Sequence, residues 1–147
     1  MIRELVYEDF KDASLVLWKS FYDAEKNNHS LEGMELFRDL TSPVSLSINS
    51  FEGKIRFFGY FEKNILLAVG AIKDHNHILL LYVLPDSQGK GIGREILLFL
   101  ESECREKRIT VNSSDCGIPF YQRHGYTICG ERNCSDGLIT TPMEKNV

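Results

Sequence analysis

The sequence predicts an α/β fold: one domain over residues 1–147, with a mixed, mostly antiparallel central sheet and helices on both faces. Three observations carry this. The middle of the chain holds three strand-like runs separated by short turns, the pattern of an antiparallel meander. The third run passes through a glycine-rich turn into an amphipathic stretch and then a further short strand. That is a βαβ unit, which demands one parallel strand pair. The length of 147 residues suffices for one domain with a real core and is short for two.

The elements follow in the order β-α-α-β-β-β-α-β-α-β-β. Ile2–Val6 alternates as a short strand. Phe10, Ala13, Leu17, Trp18 and Phe21 then recur at helical spacing. The segment "KNNHS" breaks that helix, and Ser30 is placed to cap a second, whose Leu31, Met34, Phe37 and Leu40 share a face. "TSPVS" ends it. The strand runs are Ile55–Glu62, Ile65–Lys73 and His77–Leu84, with "EKN" and "DHN" as turns. Within the third, "ILLLYVL" is apolar without alternation, so it is expected at the centre of the sheet, buried on both faces. After "VLPDSQGKGIG", a helix carries Ile92, Ile96, Phe99, Leu100 and Cys104 on one face. Ile109–Asn112 is a short strand. Asp115–His124 reads as a helix with Pro119 tolerated in its first turn. Tyr126–Glu131 and Leu138–Met143 flank "SDG", a hairpin signal.

Composition narrows the function classes. The net charge is −4 and the isoelectric point about 5.6, so there is no basic excess of the kind a general nucleic-acid binder uses. The one basic run, Arg105–Arg108, reads as compensation of a helix dipole. No apolar stretch approaches the roughly 20 residues of a membrane span, and "MIRELVYEDF" lacks the features of a targeting segment. Cys104, Cys116, Cys129 and Cys134 form no C-x-x-C pair, so no metal site is expected, and free thiols in a cytoplasmic setting are.

The glycine turn is the most informative stretch. Where a buried strand turns into a helix, the first backbone N–H groups have no partners and point outward at the positive end of the helix dipole. Such a turn accepts phosphate. The P-loop pattern fails, because Gly89–Lys90 is followed by glycine. The dinucleotide and kinase patterns fail at Arg94 or Ile96. What remains is Q-x-x-G-x-G at Gln88, Gly91 and Gly93. A second block, "VNSSDCGIPFYQRHGY", runs from Val111 to Tyr126. With these two blocks at this distance, the chain resembles the GNAT superfamily of acyl-CoA-dependent N-acyltransferases. The first block is similar to that family's pyrophosphate loop. The second is similar to its later motif, an Asn after a short strand followed by F-Y-x-x-x-G-[FY]. The resemblance spans nearly the whole chain but is only architectural before Ile55.

The resemblance implies acetyl-CoA as cosubstrate and an amine acceptor, small molecule or peptide, attacking directly in a ternary complex. Gln88, Gly89, Lys90, Gly91, Ile92 and Gly93 would cradle the pyrophosphate. The pantetheine arm would lie along Leu81, Tyr82 and Val83, on a strand splayed from Ile109–Asn112, with Asn112 bonding its amides. The backbone N–H of Leu81 would meet the oxyanion. Tyr121 would touch the thiol sulfur and protonate the leaving thiolate. A general base is needed for an amine that is protonated at neutral pH. Relatives place a carboxylate eleven residues before the Gln; here His77 holds that position.

Plainer readings stay open at each residue. The glycines serve packing alone, Asn112 forms a turn, Tyr121 packs, or His77 is a strand-start or structural histidine. A His75-x-His77 metal pair lacks a third ligand. The acceptor would enter beside the two N-terminal helices and the final hairpin. There Asp23, Glu25, Glu32 and Glu35 give an acidic rim, unless they are solvated helix charges. The rival functions are a non-catalytic acyl-CoA-binding regulator and an interaction module with a purely structural loop. Neither a nucleic-acid nor a membrane partner is expected. Oligomeric state is unreadable from these residues, and a homodimer stays open.

Overall fold

Turn chemistry sets the middle of the chain. Lys63 and Asn64, then Asp74 and His75, adopt positive φ, the conformation that tight hairpins require. They join β2 (Ile55–Glu62), β3 (Ile65–Lys73) and β4 (His77–Val83) into the expected meander, with Glu62 opposite Ile65 and Lys73 opposite His77. The computed structural model describes residues 1–147. The other strands are β1 (Ile2–Glu4), β5 (Arg108–Ser113), β6 (Thr127–Ile128), β7 (Asn133–Ser135) and β8 (Leu138–Asn146). The helices are α1 (Phe10–Glu25), α2 (Leu31–Leu40), α3 (Pro43–Phe51), α4 (Ile92–Glu103) and α5 (Ile118–Arg123). The sheet order is β1-β2-β3-β4-β5-β8-β6, with β7 on β8. Every pair is antiparallel except β4 with β5, the parallel pair that the βαβ reading requires.

Two apolar clusters form, one on each face of the sheet. On the first, Ala13, Leu17 and Phe21 of α1, Phe37 of α2 and Leu46 of α3 cover Phe57 and Val69. On the second, Ile96, Leu97 and Leu100 of α4 cover Phe58, Ile72 and Ile109. No helix is long and apolar enough to cross a membrane, and all four cysteines are free.

Several elements differ from expectation. "TSPVS" does not only end α2; it starts α3. The Ser42 hydroxyl accepts the Ser45 N–H, and Pro43 fills the first turn, where its missing N–H costs nothing. Leu31 and Leu40 stay exposed, because α2 turns only Gly33, Met34 and Phe37 inward. The basic run lies beyond α4, and Arg108 opens β5, its Nε donating to Glu144 at 2.7 Å. The "SDG" hairpin exists, but its first strand is β7. Tyr126–Glu131 contributes only β6, which pairs farther along β8. The apolar run of β4 is not closed over on both faces: only Ile78 is buried, and Leu79 to Val83 are partly open.

The hairpin tip docks on the start of α2. The Ser30 N–H donates to the Gly137 carbonyl, and Gly33 lies so close to that carbonyl that a Cβ would collide with backbone. Gly33→Ala is expected to destabilise the chain by about 1–3 kcal/mol, because neither backbone can yield freely. Urea denaturation checks this: an unchanged midpoint would mean that the hairpin is only loosely seated on α2.

Candidate active site

The site begins with a parting of strands. β4 pairs with β5 only through His77 opposite Thr110 and Ile78 opposite Val111. From there β5 stays with β8 as far as Ser113, and β4 stays with β3 as far as Val83. Between them lies a cavity of about 540 Å³, walled by Leu79–Val83 on one side and Val111–Ser114 on the other. The phase of the β3–β4 ladder follows from the Leu84 N–H, which donates to Leu67 C=O at 2.9 Å. Alternation then turns the backbone groups of Tyr82 and Leu80 toward β3 and leaves those of Leu81 and Val83 facing the gap; at Leu79 the ladder shifts register, with no residue of β3 opposite it.

The glycine turn closes one end. The Gln88 amide reaches back and donates to the Val83 carbonyl at 3.0 Å, taking one of those free acceptors. Gly89 and Gly91 both hold positive φ, at 78° and 85°. A Cβ on either would meet nothing within 4 Å, so the demand is conformational and the space in front is open. Gly91 caps α4 without any side-chain bond, and the Glu95 N–H is the first to reach the Gly91 carbonyl. The N–H groups of Ile92 and Gly93 therefore lack helical acceptors where the cavity opens. Arg94, in the first turn of α4, and Arg123, at the end of α5, line the cavity; Lys90 does not.

Tyr121 comes from α5 on the opposite face. Its ring packs edge-on to Phe120 and Tyr126 and lines the cavity. Burial, with the nearby charge of Glu25, pushes the phenol well above its ordinary value, so it stays protonated through neutral pH. Asn112 lines the β5 wall and is exposed.

His77 is not brought together with these groups. It sits at the closed end of the β4–β5 ladder, its Nδ1 2.7 Å from the Thr110 hydroxyl, and it does not line the cavity. Four residues of strand, about 13 Å, separate it from Leu81. The parting of the strands only after Ile78 leaves His77 outside the cleft, so a base role for it is not what the geometry offers.

Glu25 is the group that sequence reasoning misplaced. It is no rim charge: its side chain is only 2% exposed, whereas Asp23, Glu32 and Glu35 face solvent. Its Oε2 accepts the Tyr82 hydroxyl at 2.9 Å, and its Oε1 lies 2.7 Å from His29 Nε2. The His29 Nδ1 accepts the Ile139 N–H at 3.0 Å, so the hydrogen of a neutral ring sits on Nε2 and points at Glu25. Glu25 lines the cavity beside Ser20, Ala24 and Cys116. A signal existed: Glu25 continues the buried stripe of α1 four residues past Phe21, and His29 follows four residues later.

A family model described as acetyltransferase (GNAT) domain matches residues 25–147. No curated protein matches this sequence significantly. Among solved structures, a GCN5-related N-acetyltransferase from Rhodopseudomonas palustris is 21% identical with a TM-score of 0.88, over 100% of this chain and 95% of that one. The PaiA N-acetyltransferase from Thermoplasma acidophilum, solved with coenzyme A, is 24% identical with a TM-score of 0.82, over 100% and 98%. At these identities the likeness is one of fold.

The His77 environment carries a pH signature of its own. Burial, and secondarily Lys73, lowers its pKa from 6.5. Above pH 6.5 both folded and unfolded chains hold the ring neutral, so nothing is lost there. As pH falls below 6.5 the unfolded chain takes up the proton first, and stability declines until the lower folded value is passed. Urea midpoints measured from pH 7.5 to 5 are expected to fall more for the wild type than for His77→Gln. Parallel curves would place His77 in contact with bulk water.

Proposed function

The chain belongs to the GNAT acetyltransferase family, and from that premise we propose that it transfers the acetyl group of acetyl-CoA to a primary amine, by direct attack in a ternary complex. One observation carries the reading: an open strand edge that runs into an uncapped helix start through two left-handed glycines. An edge of unpaired backbone suits an extended chain bearing amides, which adds to the sheet as another strand would. An uncapped helix start suits the phosphates at the end of such a chain.

The residues fit coenzyme A in that order. The N–H groups of the Gln88–Gly93 turn hold the pyrophosphate, with Arg94 and Arg123 adding positive charge. Gln88 acts inwardly, fixing the turn to Val83, and Lys90 contributes backbone only. Leu81 and Val83 offer the arm their free backbone groups, Tyr82 presents its side chain to the other face, and Asn112 faces the arm from β5. The bound thioester supplies an activated acetyl group. The Leu81 N–H, aimed into the gap, donates to the oxyanion that forms on attack. Tyr121, still protonated at neutral pH, gives its proton to the departing sulfur. A phenol in this position favours an enzyme over a regulator that only binds acyl-CoA.

Two substitutions test the halves of this reading. Gly91→Asp sets a carboxylate before the pyrophosphate and forces a side chain into positive φ. Affinity for acetyl-CoA is expected to drop at least tenfold, about 1.4 kcal/mol, in calorimetric titration. Unchanged affinity in a folded variant would remove the turn from the binding site. Tyr121→Phe is expected to lower kcat by roughly 10² while leaving acetyl-CoA affinity intact. Equal turnover would reduce Tyr121 to packing.

A further inference from the structure

The acceptor side of the cleft holds a buried carboxylate with a built surround. Glu25 ends α1, and its side chain is 2% exposed, as is that of His29. Two donors converge on it from different elements, Tyr82 from β4 and His29 from the α1–α2 connection. His29 is itself fixed twice. Its ring stacks on Phe21 at 5.4 Å and 10°, and Phe21 stacks on Phe37 at 3.7 Å. Its Nδ1 accepts from the Ile139 backbone, which leaves the ring no choice of tautomer. Glu25 has each oxygen bonded once and still borders the cleft, leaving lone pairs for a third donor.

We propose that Glu25 is the acceptor-side catalytic residue, with His29 and Tyr82 as its positioning residues, and that the acceptor it selects is a primary ammonium on an unbranched alkyl stem. This rests on the acetyl-transfer reading above. The class follows from the walls. A buried anion recognises a cation, and Ser20 and Ala24 of α1, which line the cleft with Glu25, are small and carry no counter-charge. The protons balance. An ammonium that becomes an amide loses two: one leaves to solvent by way of Glu25, and the other refills Tyr121, whose own proton has gone to the departing sulfur, so the products are the amide, the thiol and one proton in solvent. The nitrogen lone pair forms the C–N bond, and the C–S pair leaves on sulfur.

The groups facing Glu25 are His29, Tyr82, Tyr121 and Cys116. Beyond His29 stands Asp115, held by Arg132 at 2.8 Å. None of these supplies a second carboxylate within the cleft that bonds both Tyr82 and His29. The pH dependence of the rate is therefore expected to keep its position when the amine is changed.

The experiment uses the full chain, with n-butylamine and tert-butylamine as probes. Coenzyme A titration comes first and judges the underlying reading alone: a chain that does not bind coenzyme A loses that reading whatever Glu25 does. Given binding, the wild type is expected to acetylate n-butylamine at least tenfold faster than tert-butylamine. Glu25→Gln is expected to lose about a hundredfold in kcat/KM while binding coenzyme A within twofold of wild type. His29→Leu removes one donor from the carboxylate, so its rate at neutral pH falls about tenfold. His29→Gln, which restores a donor at the Nε2 position, recovers most of that loss. The proposal is overturned by wild-type turnover in Glu25→Gln, by an acid limb that follows the amine's own pKa, by loss in His29→Leu that His29→Gln does not recover, or by indifference to branching. The wild-type pH profiles need no variant to fold.

Discussion

Everything in this molecule hangs on a parallel ladder only two residue pairs long. β4 and β5 are the one parallel pair in the sheet, and they separate after Ile78. Such a gap does not unravel the fold, because each strand keeps a full antiparallel partner on its other side, β3 for β4 and β8 for β5. A break in an antiparallel interior would leave hairpin neighbours to close it. Here the crossover through α4 joins the two strands by a helix rather than a turn, so nothing pulls their far ends together. The exposed backbone of Leu81 and Val83 is the consequence. Unpaired backbone groups are costly when dry and inviting when wet. The protein meets one of them itself, through Gln88, and leaves the rest facing the cleft.

The same strand then serves two cores. Leu80 and Tyr82 pack with the α1 cluster, while Leu81 and Val83 pack with the α4 cluster. Because the cleft cuts the sheet where the two clusters meet, side chains from opposite faces converge in it. Tyr121 arrives from the α4 and α5 side and Glu25 from the α1 side. That convergence explains why the two lie close enough for the Glu25 charge to raise the Tyr121 phenol. It also explains the docking of the final hairpin on α2. The Ile139 N–H that fixes His29 belongs to β8, the strand that also holds β5 away from β4.

Local chemistry was legible in the sequence where one residue type does one job. The meander turns, the Ser30 cap, the Q-x-x-G-x-G turn and the parallel unit all depend on short-range rules, and each stands where those rules put it. The Ser42–Pro43 start of α3 was equally local and went unread, because proline was taken as an end and not as a first-turn residue. The misreadings of β4 and His77 have a different source. An apolar run announces that a strand is covered, but not by what; half of this one borders a cavity instead of side chains. His77 stands eleven residues before Gln88, yet the strands part just after Ile78, where the β3–β4 ladder also shifts register, and a count along one strand does not report that. Glu25 shows the reverse case. Its place on the buried stripe was readable, and its polar character overrode the periodicity that should have been followed.

The two ends of the cleft differ in charge, and that difference sets direction. At one end stand an uncapped helix start, Arg94 and Arg123; at the other, a buried carboxylate. A ligand with phosphates at one end and an acyl group at the other meets a favourable field in only one orientation. Reversed, it would bring phosphate charge against Glu25. At about 4 Å and an effective dielectric near 20, each such pair costs on the order of 4 kcal/mol, roughly a thousandfold in occupancy. The same carboxylate attracts an ammonium by a similar amount before any hydrogen bond is counted. Orientation of one substrate and selection of the other thus follow from a single buried charge. Its burial in turn depends on Tyr82 and His29 being held by strands that the parting of β4 from β5 has placed on opposite sides of the gap.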